Sequence, residues 1–133
     1  MDFKPNKKRI LSGIQPSGKL HLGNYFGMMK RMIDYQTNHD LFCFIANYHA
    51  MTSNPDAVTL SKNTFEAVCD FLALGINPEK STFWVQSDVP QVTELNWILS
   101  SFTSVSLMDR STSYKDKISS YLFSDYKIFS NFC

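Results

Sequence analysis

The most informative segment of this chain is Gln15-Pro16-Ser17-Gly18-Lys19-Leu20-His21-Leu22-Gly23-Asn24. It follows the apolar run 10–14 and opens into apolar residues at helical spacing, so it predicts a strand that turns through glycines into a helix. In α/β folds, a turn of this kind presents backbone N–H groups and the positive end of a helix dipole to phosphates. We therefore interpret the segment as an anion-binding turn, with His21 and Asn24 at the mouth of the helix.

The elements next to this turn follow from the spacing of apolar residues. Residues 9–14 are predicted to form a first strand that is buried on both faces, because apolar and polar residues do not alternate cleanly there. Gly13 inside this strand indicates that another group approaches the backbone closely. The helix after the turn is predicted from the apolar positions Leu22, Tyr25, Phe26, Met29, Met32 and Ile33.

The following segments repeat this alternation of strand and helix. The unbroken apolar run 41–46 predicts a second, buried parallel strand, and residues 47–52 follow it at the same edge of the sheet as the turn. A second helix is expected to run to Leu74 and to stop at Gly75. A third strand over 82–86 and a further helix beyond residue 90 continue the pattern. The second helix is expected to face the core with Leu60, Thr64, Ala67, Val68, Phe71 and Leu72.

Strands that alternate with helices through short turns predict an α/β fold with a parallel sheet and right-handed crossovers. The order strand, helix, strand, helix, strand is half of a Rossmann-type nucleotide-binding domain. The length of 133 residues and the hydrophobic fraction of 44% are sufficient for the core of one domain. After residue 102 the pattern loosens, and the sequence predicts no element over 119–133.

Net charge and hydropathy limit the classes of partner. The 13 basic and 12 acidic residues give a net charge of +1, so no basic surplus indicates nucleic acid or an anionic membrane. No apolar run approaches the ~20 residues that a membrane span needs, and no secretory signal precedes the first strand. Cys43, Cys69 and Cys133 are odd in number and form no CxxC pair, which favours a reducing, cytosolic compartment. Cys43 and Cys69 fall inside apolar stretches, so we expect them to be buried thiols.

His21 and Asn24 are the first candidates for chemistry. They are three residues apart, so they lie on one side of the first helical turn, and both can donate hydrogen bonds to a phosphate. Gly23 between them would let a flat base lie against the backbone. The alternative is structural, because a histidine at this position can also cap the helix or stand in a solvated loop.

Several blocks of the chain resemble one enzyme family. His21-Leu22-Gly23-Asn24 resembles the signature that opens class I aminoacyl-tRNA synthetases, and the longer string from Ser12 to Tyr25 is similar to that of the tryptophanyl-tRNA synthetase family. The resemblance runs from about Arg9 to Lys117 and includes the blocks 47–52, 74–82, 84–90 and 113–117. It implies a class I catalytic domain, of which residues 9–118 form the first βαβαβ half.

The resemblance also implies a reaction and a set of site residues. Tryptophan and ATP, with Mg²⁺ in the substrate complex and no tightly bound cofactor, would give tryptophanyl-adenylate, which is then transferred to tRNA. Such chemistry depends on positioning and charge stabilisation more than on a nucleophilic side chain. The family's catalytic residues, none of them a metal ligand, carry over to His21, Asn24 and Lys117. Its ATP-binding residues carry over to Gln15, Ser17, Gly18, His21, Gly23 and Asn24. Its amino-acid-binding residues carry over to Leu11, Gly13, Gln15, Ala46 and His49.

The chain departs from the family pattern in sequence and in length. Leu11 stands where the family has an aromatic residue, and Asn47 and Tyr48 replace an acid and an amide. The family's second half, with its KMSKS lysines and its tRNA-reading helical domain, does not follow. We therefore expect a lead-in over 1–8, the half-domain over 9–118 and an atypical tail over 119–133, as in a truncated or frameshifted product.

Two other functions remain open on the sequence alone. The sister tyrosine-specific enzyme shares the fold, and a non-catalytic nucleotide-binding fragment would carry the same motifs. The chain by itself is expected to give no tryptophan-dependent pyrophosphate exchange. A full-length member is expected to be a cytoplasmic homodimer that binds tRNA and no membrane.

Overall fold

The computed structural model of this chain describes residues 7–53 and 56–123, with only the backbone described at Lys117 and over 120–123. Residues 1–6 of the expected lead-in and 124–133 of the expected tail lie outside the described residues. Contacts group the chain into two compact units, Met1–Val92 and Thr93–Cys133. The sheet belongs to the first unit, and so do most of the candidate site residues.

Parallel strands form a single sheet in the first unit, in the order β1 (Arg9–Ile14), β2 (Asp40–Ile45) and β3 (Thr82–Val85). In the register of these strands, Gly13 pairs with Phe44, and Phe44 pairs with Trp84. Helices separate the strands along the chain. The predicted α/β fold with a Rossmann-like parallel sheet is therefore confirmed.

Among the described residues, helices cover one face of the sheet. Leu41, Cys43 and Ile45 alternate along β2 and are buried on that face. On β1, Ile14 is buried, whereas Leu11 is 66% exposed. The prediction that β1 is buried on both faces is therefore wrong, because side chains of a strand alternate between the two faces of its sheet and only one face is covered.

The first crossover helix has a wide turn in its middle. It consists of α1 (Leu22–Asn24), a π-helical turn over Tyr25–Met29 and α2 (Lys30–Tyr35). Met29 and Met32 are buried, but Leu22 and Phe26 are 74% and 60% exposed. The predicted helix is confirmed, while its predicted apolar face is wrong at Leu22 and Phe26. The hydrogen bonds of a π turn run from i to i+5, so the turn holds more residues than an α-helical turn. Because of this, the residues before the π turn do not continue the 3.6-residue spacing of those after it, and they lie on a different side of the helix.

The second crossover contains two helices, α3 (Asn47–Met51) and α4 (Ala57–Leu74). Asp56 caps α4, and its Oδ2 accepts from the N–H of Thr59 at 2.8 Å. Hydrogen bonds from the side chain and the backbone of Thr59 lower the pKa of the Asp56 carboxyl group. Gly75 ends the helix in the left-handed region, at φ 111°, as predicted. Phe71 is buried as predicted, but Leu72 is 45% exposed, because it lies about 100° further round the helix.

One core joins the sheet to the crossover helices. Phe71 of α4 packs on Phe83 of β3, with ring centroids 5.4 Å apart. In the loop after α4, Nε2 of Gln36 donates to the carbonyl of Gly75 at 2.8 Å, and Oε1 of Gln36 accepts from the N–H of Asn77 at 2.7 Å. These bonds hold the joint between α4 and β3. The buried apolar members of the core are Ile14, Met29, Met32, Leu41, Cys43, Ile45, Ala67, Phe71 and Ile76.

The second unit is helical where it is described. The helix α5 (Gln91–Phe102) crosses from the first unit into the second, and it is followed by α6 (Val105–Met108) and α7 (Thr112–Phe123). The predicted helix beyond residue 90 is confirmed as α5. Neither α6 nor α7 was predicted from the sequence, although Ser104 caps α6 by accepting from the N–H of Leu107 at 3.3 Å. No helix in the described part of the chain has the length and the apolar character needed to cross a bilayer.

Candidate functional site

The carboxyl ends of the parallel strands lie at one edge of the sheet. Gln15 follows β1, Ala46 follows β2 and Gln86 follows β3. The N–H of Ala46 donates to the carbonyl of Ile14 at 2.7 Å, so the pairing of β1 with β2 continues past the last strand residue. Ligands of open parallel sheets bind at this edge, which makes the residues after the strands the candidates for a site.

Gln15 and His49, both expected at the amino acid, are brought together at this edge. Nε2 of Gln15 donates to the carbonyl oxygen of His49 at 3.4 Å and to Oγ of Ser53 at 3.3 Å. The amide of Gln15 therefore holds α3 from the side of β1, and its Oε1 retains acceptor capacity. Ala46, which is also expected at the amino acid, is buried directly before α3.

The helix α3 is also tied to the residues that follow β3. Nδ2 of Asn47 donates to Oγ of Ser87 at 2.8 Å, and Oδ1 of Asn47 accepts from the Ser87 N–H at 3.1 Å. Nδ1 of His49 lies 3.3 Å from Oε1 of Gln86, a residue that is only 9% exposed. The short helix α3 was not predicted from the sequence. The roles of Gln86 and Ser87 were not predicted either, since their bonds join positions 37 and 40 residues apart. Polar residues directly after neighbouring parallel strands are the signal that points to such a link.

His21 caps the first helix. The N–H of Gly23 donates to Nδ1 of His21 at 3.1 Å, and the N–H of His21 donates to Oδ1 of Asn24 at 2.9 Å, which together form a capping box. The structural alternative for His21, that it is a helix cap, is thus confirmed. A nitrogen that accepts carries no proton, so the neutral imidazole holds its proton on Nε2. His21 and Asn24 therefore each cap the helix with one atom and carry an N–H donor on another.

The backbone of the same turn is less available than the sequence predicts. The N–H groups of Asn24 and Tyr25 donate to the carbonyl of His21 at 2.9 and 3.1 Å, and that of Gly23 donates to the ring. The prediction that this turn presents backbone N–H groups to phosphates is wrong for these three residues, because the turn satisfies them itself. A Cβ atom on Gly23 would lie 2.8 Å from Cε1 of His21, so the cap itself requires a glycine there.

Gly13 and Leu11 lie on the face of the sheet that the crossover helices leave uncovered. A Cβ atom on Gly13 would lie 2.7 Å from the ring of Phe44, and that ring stacks on Trp84 with centroids 5.2 Å apart. The close approach predicted from Gly13 is confirmed, and the approaching group is a side chain of β2. Leu11 stands two residues earlier on the same face and is largely exposed.

The remaining predicted residues have different surroundings. Ser17 is exposed, and a Cβ atom on Gly18 would have no neighbour within 4 Å among the described atoms. Lys117 is part of α7 in the second unit, and its side chain lies outside the described residues. Burial raises the pKa of the Cys43 thiol to about 12, so this cysteine stays protonated inside the core. Over 7–53 and 56–123, no cluster of three or more His, Cys, Asp or Glu residues could hold a metal ion.

Comparisons with known proteins agree with this geometry. The family model for class I tRNA synthetases (W and Y) matches residues 4–129. A tryptophan–tRNA ligase of Campylobacter jejuni is 54% identical over 122 residues, which are 92% of this chain and 38% of that protein. A tryptophan–tRNA ligase of Fusobacterium nucleatum is 58% identical over 111 residues, or 84% of this chain and 34% of that protein.

Solved structures give the same result. The crystal structure of tryptophanyl-tRNA synthetase from Campylobacter jejuni matches 95% of this chain and 40% of its own, with a TM-score of 0.79 and 53% identity. The structure of that enzyme complexed with ADP and tryptophan matches 89% of this chain and 37% of its own, with a TM-score of 0.77 and 54% identity. The chain thus spans about two fifths of the length of such relatives.

Proposed function

Because the chain belongs to the family of class I tRNA synthetases for tryptophan and tyrosine, we propose that it supplies the first half of the catalytic domain of a tryptophan–tRNA ligase. The observation that carries this proposal is the identity of 54% and 58% to tryptophan–tRNA ligases across most of the chain. In the proposed reaction, a carboxylate oxygen of tryptophan attacks the α-phosphorus of ATP and pyrophosphate leaves. The tryptophanyl group then passes from the adenylate to the 3′ end of tRNA, and AMP is released.

In this proposal the turn after β1 binds ATP. His21 donates from Nε2, and Asn24 donates from Nδ2, to phosphate oxygens on which charge develops as pyrophosphate leaves. The capping bonds at Nδ1 and Oδ1 support these roles, because they hold both side chains in one orientation before ATP arrives. Gln15, Ser17, Gly18 and Gly23 complete the proposed ATP site. The absence of a Cβ atom at Gly18 allows a ligand to approach the backbone there.

The tryptophan side of the proposed site lies along the edge of the sheet. Gln15 and His49 face each other there through a hydrogen bond, and Ala46 leads from β2 into α3. Leu11 and Gly13 of β1 would line the same pocket from the uncovered face of the sheet. A pocket at this edge is supported by the likeness to the Campylobacter jejuni enzyme, whose structure was solved in complex with ADP and tryptophan.

Other parts of the proposal concern the complete enzyme. Mg²⁺ enters as part of the ATP complex and is a substrate component, and Lys117 reaches the triphosphate. A complete member binds tRNA, forms a homodimer and works in the cytoplasm, where translation takes place. The match of residues 4–129 to the family model supports these proposals.

A chimera tests the proposed function. Residues 9–118 of this chain would replace the corresponding segment of the Campylobacter jejuni ligase, and amino-acid-dependent exchange of pyrophosphate into ATP would be measured. We expect tryptophan-dependent exchange, because residues 9–118 supply the turn after β1 and the carboxyl edge of the sheet to the rest of the ligase. A folded chimera that gives no tryptophan-dependent exchange would contradict the proposal.

A further inference from the structure

Gln86 is a buried polar side chain at the edge of the sheet that the proposed roles do not use. It follows β3, is 9% exposed and has Oε1 3.3 Å from Nδ1 of His49. With the Gln86 amide in this orientation its Oε1 accepts, so Nδ1 of His49 carries the proton in this pair. A neutral imidazole has one N–H, and Nε2 of His49 is therefore left with a lone pair.

We propose that Gln86 is a positioning residue, which fixes His49 in the Nδ1–H tautomer and makes Nε2 an acceptor for an N–H donor of the bound amino acid. The tautomer follows from the geometry of the two side chains. The identity of the donor rests on the proposed function, because tryptophan offers an α-ammonium group and an indole N–H. Both groups have the same chemistry toward a lone pair, and they can be separated by experiment.

The orientation of His49 is determined by more than Gln86. The backbone carbonyl oxygen of His49 accepts from Nε2 of Gln15 at 3.4 Å and from Oγ1 of Thr52 at 2.7 Å. The two bonds between Asn47 and Ser87 fix the start of the same short helix. The backbone of α3 is thus held from two sides, and the bond with Gln86 then selects the state of the ring. A side chain placed in this way loses little freedom when a ligand binds.

His21 provides an internal contrast. Its Nδ1 accepts from the N–H of Gly23, so its proton stands on Nε2, the opposite tautomer. The two histidines therefore differ in what Nε2 offers a ligand. His21 offers a hydrogen, which suits an anion such as phosphate, and His49 offers a lone pair, which suits an ammonium or indole N–H. Different environments thus assign opposite roles to two residues of the same type.

The imidazole nitrogens of the ¹⁵N-labelled 133-residue chain test this inference directly. Two-bond ¹H–¹⁵N correlation spectra would be recorded at about pH 8.5, roughly two units above the ordinary pKa of histidine. We expect the Nδ1–H pattern for His49 and the Nε2–H pattern for His21. Gln86→Met, which keeps the size but removes the acceptor, should shift His49 toward the Nε2–H pattern. Gln86→Glu, which keeps an acceptor oxygen, should retain the Nδ1–H pattern, and Gln91→Met, the same substitution at an exposed position, should leave it unchanged.

The ligand is tested with the chimera, labelled in the same way, because this chain by itself is proposed to supply only the first half of the catalytic domain. L-Tryptophan should shift the Nε2 resonance of His49, and the analogue that fails to do so identifies the donor: indole-3-propionate lacks the ammonium group and 1-methyltryptophan lacks the indole N–H. An Nε2–H pattern for His49 in the unsubstituted chain, or a pattern that Gln86→Met does not change, would overturn the positioning role. If L-tryptophan leaves Nε2 unshifted, the acceptor role is wrong. The tautomer is read without ligand, so it is independent of exchange by the chimera.

Discussion

The backbone N–H of Gly23 donates to Nδ1 of His21 at 3.1 Å, so one ring nitrogen of this histidine caps the helix that begins at Leu22. The other nitrogen carries the proton that the proposed reaction needs. The structural role and the proposed catalytic role of His21 therefore reside on different atoms of one ring. Substitutions that keep one role and remove the other can separate them.

The capping role predicts a difference in stability between His21→Ala and His21→Asn. Alanine removes the acceptor for the Gly23 N–H and should lower the free energy of unfolding by about 0.5–2 kcal/mol. Asparagine is a preferred N-cap residue and should retain most of the stability. Urea denaturation of the 133-residue chain measures both variants. An alanine variant that is as stable as the unsubstituted chain would show that the cap contributes nothing to stability.

Gly23 and Gly27 make a matched pair of glycines for a second prediction. A Cβ atom at Gly23 would meet the ring of His21 at 2.8 Å, whereas a Cβ atom at Gly27 meets no described atom within 4 Å. Gly23→Ala should displace the ring and destabilise the chain by about 1 kcal/mol through the lost cap. Gly27→Ala should be neutral or stabilising by up to roughly 1 kcal/mol, because alanine favours the helix. Thermal unfolding of the two variants compares them, and the opposite order would contradict the cap geometry.

The contact of Gly13 with Phe44 predicts that the two positions are energetically coupled. Gly13→Ala places a Cβ atom 2.7 Å from a ring that stacks on Trp84, and it should cost about 1–3 kcal/mol. Phe44→Leu vacates part of that space, so the double variant should be more stable than the sum of the single effects by roughly 0.5–3 kcal/mol. A double-mutant cycle by urea denaturation measures the coupling. Strict additivity would mean that the ring moves away from Gly13 at no cost.

Cys43 predicts how stability changes at alkaline pH. Its pKa is raised from 9.0 to about 12 by burial, so the thiol is protonated in the folded chain at a pH at which the unfolded chain has released the proton. This contribution is fully present below about pH 9 and is lost as the pH rises toward 12. Relative to Cys43→Ala, the chain should therefore lose on the order of 1 kcal/mol between about pH 8 and pH 10. Parallel pH dependence of the free energy of unfolding in both proteins would exclude a buried thiol.

The order of the elements could be predicted from sequence because its signals are local. Apolar runs separated by turn residues indicated three strands, and Gly75 indicated the end of α4, where the structure has φ 111°. The burial of each face could not be predicted in the same way. Whether Leu11 is covered depends on segments far away in the chain, and the rotation that exposes Phe26 comes from a π turn that apolar spacing does not reveal.

In the candidate site too, local features could be predicted from sequence and contacts between distant segments could not. The position of His21 at a helix start follows from its neighbours, and a helix cap was among the hypotheses that the sequence left open for it. The bond of His49 with Gln86 joins positions 37 residues apart and depends on the parallel pairing of β2 with β3. Local patterns place Gln86 directly after a strand, but they do not identify it as the partner of His49. The residues that position a candidate group are therefore found from the structure, even where a motif identifies the group.

The most direct test of the central claim is pyrophosphate exchange by the chimera with His21→Asn, compared with His39→Asn as a control in the turn before β2, where the half-buried ring of His39 contacts Tyr35. His21→Asn keeps a helix cap but removes the Nε2–H donor. We expect tryptophan-dependent exchange to fall by on the order of 100-fold with His21→Asn and to stay unchanged with His39→Asn. An exchange rate that His21→Asn leaves at the level of the unsubstituted chimera would contradict the assignment of this turn to ATP.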